Sequence, residues 1–286
     1  MDRGQGHTFL SKLPTSNKSR LMNLITFLSD FGLNDGYVSS VKGVILSINP
    51  RAQIIDTSHS IQAFRIEQGA YVLTSYYNNF PPKTVHLAVV DPGVGSQRRM
   101  LIIKTSQYYF VGPDNGLFTY IMQREAYQAY QINVQRLKQQ RIVSQISLTF
   151  QARDIFSPVA ALLSKGTQLT VLAEPVSQPP MMLTDRTNFD QKVILARVIL
   201  IDHFGNIITT CSQFQLSGMG GGKIRSIKIK DSVLSGVHQT YSDVPSGSLL
   251  ALWNSSGFLE IAVNQGSAEN MLGGLNGTES IAIYLE

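Results

Sequence analysis

The sequence predicts an α/β fold, in which an N-terminal domain with a mostly parallel sheet flanked by helices precedes a C-terminal all-β barrel domain. Three observations lead to this fold class. Strand-like and helical patterns alternate through the first half of the chain, a proline-containing stretch follows near residue 174, and only strand-like runs come after it. The chain therefore changes from α/β to all-β at about that residue.

These changes divide the 286 residues into four predicted segments. They are a flexible N-terminal tail at 1–21, an α/β domain at 22–173, a linker at 174–191 and a β-barrel domain at 192–286. The tail has no apolar core of signal-peptide length, so a flexible tail or an upstream start before Met22 explains it better than a targeting peptide. The linker contains Pro175, Pro179 and Pro180 and shows no clear hydrophobic period.

In the first domain, short apolar runs that end in polar turns predict buried strands, and apolar residues at helical spacing predict helices. Val38, Val41 and Ile45 share one helical face, and Asn49 and Pro50 end that helix. The predicted strands are Leu24–Leu28, Gln53–Asp56, Val85–Val90 and a hairpin of Leu101–Lys104 with Tyr108–Val111. The predicted helices are Tyr37–Ile48, Glu67–Tyr77, Leu117–Gln123 and Ile155–Leu163.

The second domain shows short strand-like runs, and Ile224–Lys230 alternates apolar and polar residues as a half-exposed strand does. Short strands at this density are typical of a small β-barrel or sandwich. The predicted strands are Val193–Ile201, Ile207–Thr210, Ile224–Lys230, Leu249–Trp253, Phe258–Val263 and Ile281–Leu285.

Composition argues against several classes of protein. The net charge of +5 comes from scattered lysines and arginines, which does not suggest a nucleic-acid partner. Cys211 is the only cysteine, so no intrachain disulfide can form and a cytoplasmic setting is the default expectation. No apolar run approaches the roughly 18 residues of a membrane span. No spacing of His, Cys and Asp indicates a zinc or calcium site.

The stretch from Val85 to Arg99 is the strongest functional signal. Its apolar run predicts a strand buried on both faces, and it ends in Asp91 on a turn rich in proline and glycine, with Arg98 close behind. A carboxylate at the carboxyl end of a central strand lies where open α/β sheets place their ligands. The alternative is a strand-end aspartate that caps a turn and pairs with an arginine at the surface.

Three other clusters of polar residues also follow predicted strands or occupy loops. They are residues 29–32 with Asp35 and Tyr37, residues 149–154, and residues 201–206. Each has an ordinary structural explanation: Asp30 and Asp202 as turn formers, Asn206 as a turn residue, and the Arg153–Asp154 pair as a local ion pair.

Taken together and in order, these clusters resemble the S-adenosylmethionine (SAM) hydroxide adenosyltransferases, or SAM hydrolases, which are relatives of the fluorinating and chlorinating enzymes. The resemblance runs from about Leu24 to Leu285. It is carried by Asp30-Phe31-Gly32, Tyr37-Val38, Val41-Lys42-Gly43, Ser47-Ile48-Asn49-Pro50, Asp56 with His59, Val90-Asp91-Pro92-Gly93-Val94-Gly95, Gly112-Pro113-Asp114-Asn115-Gly116, Thr149-Phe150 with Arg153-Asp154, Asp202 with Phe204-Gly205-Asn206, Asn254-Ser255-Ser256-Gly257 and Leu259-Glu260-Ile261-Ala262-Val263-Asn264.

The resemblance implies an α/β domain followed by a β-barrel, and homotrimers whose sites lie between the first domain of one subunit and the second domain of the next. It implies that water displaces methionine from the ribose 5′ carbon of SAM, giving adenosine and L-methionine. The sulfonium leaves without an acid, so the protein must supply positioning, desolvation and a nucleophile. SAM is the substrate, and the reaction needs no metal or other cofactor.

The resemblance also implies roles for individual residues that bind substrate. Asp30 would accept hydrogen bonds from the ribose hydroxyls, and a carboxylate with two oxygens suits a vicinal diol. At the methionine end, the implied contacts are Asp35 and Asp202, with Ser255 at the methionine carboxylate. Adenine would be read by the Asn206 amide and by backbone groups of Val263, with Tyr241 against one face of the ring and Ile208 as a candidate for the opposite face. Phe64 would form an aromatic lid over the substrate.

Asp91 and Arg98 match two members of the family's Asp–Arg–His set around the nucleophilic water. The carboxylate would repel an incoming halide, which favours water as the nucleophile. The chain departs from the family pattern at Gln151, where the family has histidine, because glutamine can hold a water but cannot take its proton. No other histidine is an obvious substitute, and Ala152 adds a methyl group beside the nucleophile.

Three hypotheses follow from the resemblance. The first is a SAM hydrolase in which Asp91, Arg98 and Gln151 serve the water. The second is a SAM- or adenosine-binding protein with weak or no catalysis, because of Gln151. The third is a halide adenosyltransferase.

Overall fold

The computed structural model describes residues 23–183, 189–190, 192–218, 220–275 and 279–286. The predicted tail at 1–21 lies outside these residues, as do residues 184–188 and 191 of the predicted linker. The division into four segments stays a prediction. None of the helices in the part of the chain that the structure describes has the length and hydrophobicity that a membrane span needs.

The first half of the chain folds around a seven-stranded sheet with the order β2-β1-β3-β5-β4-β6-β7 among the described residues. Its strands are β1 Leu24–Ser29, β2 Gln53–Ser58, β3 Val85–Val89, β4 Met100–Lys104, β5 Tyr109–Pro113, β6 Gln128–Ile132 and β7 Ala173–Pro175. Strands β2, β1, β3 and β5 run parallel, whereas β4, β6 and β7 continue the sheet in antiparallel pairs. The antiparallel hairpin β4–β5 confirms the predicted pairing of Leu101–Lys104 with Tyr108–Val111.

Helices cover both faces of this sheet. They are α1 Tyr37–Ile48, α2 Ile66–Tyr76, α3 Thr119–Arg124, α4 Val134–Gln139, α5 Ser157–Ser164 and α6 Leu169–Leu172. Alternate residues of each central strand face opposite sides, so Phe27 packs in the core with α1 and α5 while Leu28 packs in the core with α2 and α3. A π-helical turn at Ala152–Phe156 precedes α5, where the sequence predicted a helix beginning at Ile155. Such turns occur frequently at functional sites.

The second half is an antiparallel sheet with the order β12-β11-β15-β9-β10-β14-β13, with β8 also paired to β9. Its elements are β8 Phe189–Asp190, β9 Val193–Ile201, β10 Ile207–Ser212, α7 Gln213–Gly218, β11 Ile224–Ile229, β12 Ser232–Ser235, β13 Leu249–Trp253, β14 Phe258–Val263, α8 Ala268–Met271 and β15 Ser280–Leu285. A bridge between His238 and Leu252 brings the two ends of the sheet together, so the sheet nearly closes into a barrel. Both parts of the predicted fold class are confirmed.

The barrel packs against helices α2 and α3 of the same chain. Phe258 lies edge-on to Tyr71 and Tyr120, with ring centroids 5.0 and 4.9 Å away. An ion pair of 3.0 Å between Arg197 and Glu67 joins the same surfaces. These contacts place the C-terminal half beside the helices on one face of the first sheet.

Candidate active site

A tight turn holds Asp91 at the carboxyl end of β3. The Val94 amide donates to the Asp91 carbonyl, and the backbone then reverses at Gly95 with a φ of 84°. A Cβ at Gly95 would lie 2.8 Å from the carbonyl oxygen of Leu148, so both the backbone angle and the close approach require glycine. The turn therefore holds the loop after β3 against the segment that leads to Gln151.

Asp91, Arg98 and Gln151 form one hydrogen-bonded cluster. Arg98 donates to both carboxylate oxygens of Asp91, and its Nε lies 2.6 Å from Asp91 Oδ1. The Nη2 atom of Arg98 also donates to Gln151 Oε1 at 2.6 Å. The side chains of Asp91 and Arg98 are 5% and 7% exposed. Charge-assisted bidentate pairs of this kind have a well-defined geometry, so the guanidinium plane is fixed.

The position of Gln151 limits what it can do. Its carbonyl oxygen accepts from Arg98, so the amide N–H groups and one remaining lone pair on that oxygen are left for a ligand. The remaining nitrogen of the guanidinium, Arg98 Nη1, is buried and makes no hydrogen bond among the described residues. The Gln151 amide is therefore the donor that the cluster offers beside the Asp91 carboxylate, a combination that suits a polarised water.

Asp30 lies near this cluster at the end of β1. Its Oδ2 accepts the Phe64 amide at 2.9 Å, and Phe64 adopts a φ of 70° while its ring is 70% exposed. Burial raises the pKa of Asp30 above its ordinary 3.8, more than the Phe64 amide lowers it, and the charge of Asp91 adds to the rise. A left-handed backbone is costly for a phenylalanine, so the Asp30 carboxylate helps to hold this loop in place.

Most of these residues line one cavity of about 400 Å³. Asp30, Phe64, Asp91 and Gln151 contribute to its wall, and Phe31, Tyr37 and Phe150 form an aromatic side with ring centroids 5.3–6.0 Å apart. Asp35 is exposed in the loop before α1 and does not line the cavity among the described residues. Sequence reasoning did not assign this aromatic wall to the site, although Phe31, Tyr37 and Phe150 stand in the motifs that carry the resemblance.

The other predicted binding residues lie in the barrel. Asn206 donates from its side-chain amide to Asp202 Oδ2 at 3.0 Å, and its backbone amide donates to Asp202 Oδ1, so the two residues fix one turn. The Tyr241 hydroxyl donates to Glu260 at 2.6 Å. Ser255 is exposed on the turn after β13, and Val263 is buried at the end of β14.

Glu260, the partner of Tyr241 in the barrel, is a residue that sequence reasoning did not select. It is 3% exposed, and burial raises the pKa of its carboxyl above 4.5, while the nearby charge of Asp202 acts in the same direction. A glutamate inside the apolar run of β14 was the available signal, because buried carboxylates are rare without a partner. Its partner here is Tyr241.

The predicted site residues therefore form two groups within one chain. The first group consists of four residues that line the cavity, Asp30, Phe64, Asp91 and Gln151, and of Arg98, which donates hydrogen bonds to the last two. The second group, in the barrel, consists of Asp202, Asn206, Tyr241, Ser255 and Val263. Among the described residues, no hydrogen bond or ion pair joins the two groups.

Comparison with known proteins gives the same family along both halves. Residues 25–173 match the model of the SAM hydroxide adenosyltransferase N-terminal domain, and residues 196–280 match that of the C-terminal domain. An (R)-S-adenosyl-L-methionine hydrolase of Methanocaldococcus jannaschii is 37% identical, over 88% of this chain and 92% of its own. A fluorinase of Nocardia brasiliensis is 26% identical, over 85% and 91%. The crystal structure of an uncharacterized conserved protein from Thermotoga maritima superposes with a TM-score of 0.76 at 33% identity, covering 91% of this chain and 99% of its own.

Proposed function

The chain belongs to the SAM hydroxide adenosyltransferase family, which is related to the fluorinases, and from that premise we propose that it hydrolyses SAM to adenosine and L-methionine. The observation that carries the proposal is the buried Asp91–Arg98 pair, which holds Gln151 at the wall of the cavity. A relative is named for the (R) epimer of the substrate, so we extend the proposal to the (R)-sulfonium.

The reaction is a displacement in which the water oxygen forms a bond to C5′ as the C5′–S bond breaks. The electron pair of that bond goes to sulfur, which becomes the neutral thioether of methionine. The attacking water loses a proton to Asp91, and the presence of this carboxylate in the cavity wall supports the assignment. Arg98 holds Asp91 in place and stabilises the hydroxide-like oxygen as charge develops, while Gln151 orients the water through its amide.

The proposed binding roles divide between the two groups of residues. Asp30 receives the ribose hydroxyls, because only one of its oxygens accepts the Phe64 amide and lone pairs remain on both. Phe64 and the aromatic wall cover the substrate and exclude water from the sulfonium. Adenine is assigned to Asn206, Tyr241 and Val263, and the methionine end to Asp35, Asp202 and Ser255, as the family resemblance implies.

We also propose that the active protein is a homotrimer, with each site built from the cavity of one subunit and the barrel residues of the next. The separation of the two groups within a single chain supports this arrangement. Asp91→Asn and Asn206→Ala would each be inactive alone. When they are unfolded together and refolded as a mixture, about a quarter of the shared sites would be intact and activity would return. A mixture that stays inactive would contradict the shared site.

A second candidate function is a SAM-binding protein without turnover. Gln151 favours it, since the family has histidine at this position and a neutral glutamine amide cannot take a proton from water. Incubation with SAM in ¹⁸O-labelled water separates the two functions. Adenosine that carries the label in its 5′-hydroxyl supports attack by water at C5′. Tight binding of SAM with no labelled adenosine supports the binding protein.

A further inference from the structure

A buried histidine lies directly behind the loop that carries Asp30. His59 is 4% exposed, its Nδ1 lies 2.8 Å from the Ser29 hydroxyl, and its ring stands edge-on to Phe27 at 4.6 Å. His59 does not line the cavity, so it does not touch the proposed substrate. The reaction proposed above gives this histidine no role.

The backbone of His59 also holds this loop. Its carbonyl accepts the Gly32 amide at 2.8 Å, while the Ser29 hydroxyl that contacts its ring accepts the Phe31 amide at 3.3 Å. Asp30 lies between these attachment points. His59 therefore fixes the loop on both sides of Asp30, through its ring on one side and through its backbone carbonyl on the other.

The residues around His59 decide which atom donates in the hydrogen bond between His59 and Ser29. Its Nε2 lies 3.1 Å from Asp56 Oδ1, close enough for the carboxylate charge to act although the contact lacks hydrogen-bond geometry, and Asp56 is paired with Lys42. A carboxylate at Nε2 favours the proton on that nitrogen, which leaves Nδ1 to accept from the Ser29 hydroxyl. The Ser29 oxygen can then use its lone pairs for the Phe31 amide.

The series Ser29, His59 and Asp56 resembles a hydrolytic triad in its residue types, but its setting excludes a nucleophilic serine. Ser29 is wholly buried and does not line the cavity, so no substrate carbon can reach its hydroxyl. The chemistry left for the series is to hold the backbone beside it.

We propose that His59 is a positioning residue for ribose recognition, acting through Ser29 to aim the Asp30 carboxylate at the sugar hydroxyls. The inference rests on the proposed function, in which Asp30 binds ribose. It predicts that loss of the His59–Ser29 contact weakens ligands that carry ribose hydroxyls and leaves ligands without them unaffected.

The test compares the binding of adenosine with that of 2′,3′-dideoxyadenosine by calorimetry. The full-length protein prefers adenosine, and His59→Leu lowers that preference by about tenfold, the size expected when a charged acceptor is misaligned. His59→Asn restores the preference, because its side-chain amide reaches the position of Nδ1. Ser29→Ala removes the other partner of the same hydrogen bond and should lower the preference for adenosine in the same way. This second variant keeps the test valid if His59→Leu does not fold.

His86→Leu is the matched control. His86 is equally buried and lies 2.8 Å from a strand hydroxyl, that of Thr26, but it stands among aromatic residues away from the cavity. Unchanged preference in both His59→Leu and Ser29→Ala, or an equal loss in His86→Leu, would overturn the proposal while leaving the proposed function intact. A native protein that shows no preference for adenosine would overturn both the inference and the assignment of Asp30.

Discussion

Removing Arg98 while leaving Asp91 in place should destabilise the fold severely. Asp91 makes two hydrogen bonds to Arg98, and Arg98 makes a third to Gln151, all from nearly buried side chains. Arg98→Met leaves an unpaired buried carboxylate, which costs about 3–5 kcal/mol when a buried pair loses one partner. The free energy of unfolding, measured by urea titration with circular dichroism, should fall by that amount.

The double variant Asp91→Leu, Arg98→Met separates stability from chemistry. Replacing both charges with apolar groups is often neutral or stabilising by about 1–4 kcal/mol, so most of the lost stability should return. Adenosine formation should stay absent in the double variant, since both groups proposed to serve the water are gone. A single Arg98→Met variant that loses less than about 1 kcal/mol, or a double variant that recovers none of the loss, would refute the reasoning.

Three further predictions concern single side chains. Gln151→His should raise adenosine formation by about 10- to 100-fold in a steady-state assay, because histidine adds a second proton acceptor beside Asp91, which glutamine cannot provide. An unchanged rate would contradict the view that the lack of this histidine limits turnover. Burial raises the pKa of Glu260, so the folded protein loses stability as the pH rises and this carboxyl becomes charged. Glu260→Gln keeps an acceptor for Tyr241 without the charge. In urea unfolding, this variant should be more stable than the native protein at about pH 8 but not at about pH 4. Burial lowers the pKa of His86 from 6.5 to about 3, so between these pH values the unfolded chain binds a proton that the folded chain does not bind. The free energy of unfolding should therefore fall by up to about 1.4 kcal/mol for each pH unit below pH 6.5. His86→Leu should reduce that slope.

The strands and the principal carboxylates could be predicted because their signals are local. Val85–Val89 is apolar at every position except His86, and Asp91 follows it on a turn that requires glycine at position 95. Strand β6, with the sequence QAYQI, gave no such signal, since it pairs at the antiparallel end of the sheet and is only partly buried. A strand of this kind is defined by its neighbours more than by its own residues.

The arrangement of the site could be predicted only in part. The hydrogen bond between Arg98 and Gln151 joins residues 53 positions apart, and local patterns contain no information about such contacts. The pairing of Asn206 with Asp202 also uses polar atoms that sequence reasoning had assigned to adenine and methionine. The second N–H group of the Asn206 amide and its carbonyl oxygen remain for the proposed contact with adenine, and the sequence alone could not indicate this division.

The most direct test of the central claim is a chromatographic assay for adenosine and methionine after incubation of the native protein with SAM, with Asp91→Asn alongside. Asp91→Asn keeps the size of the side chain but removes the carboxylate that we propose receives the proton. We expect adenosine from the native protein and none from Asp91→Asn. Native protein that binds SAM but releases no adenosine, or an Asp91→Asn variant as active as the native protein, would contradict a hydrolase that depends on Asp91.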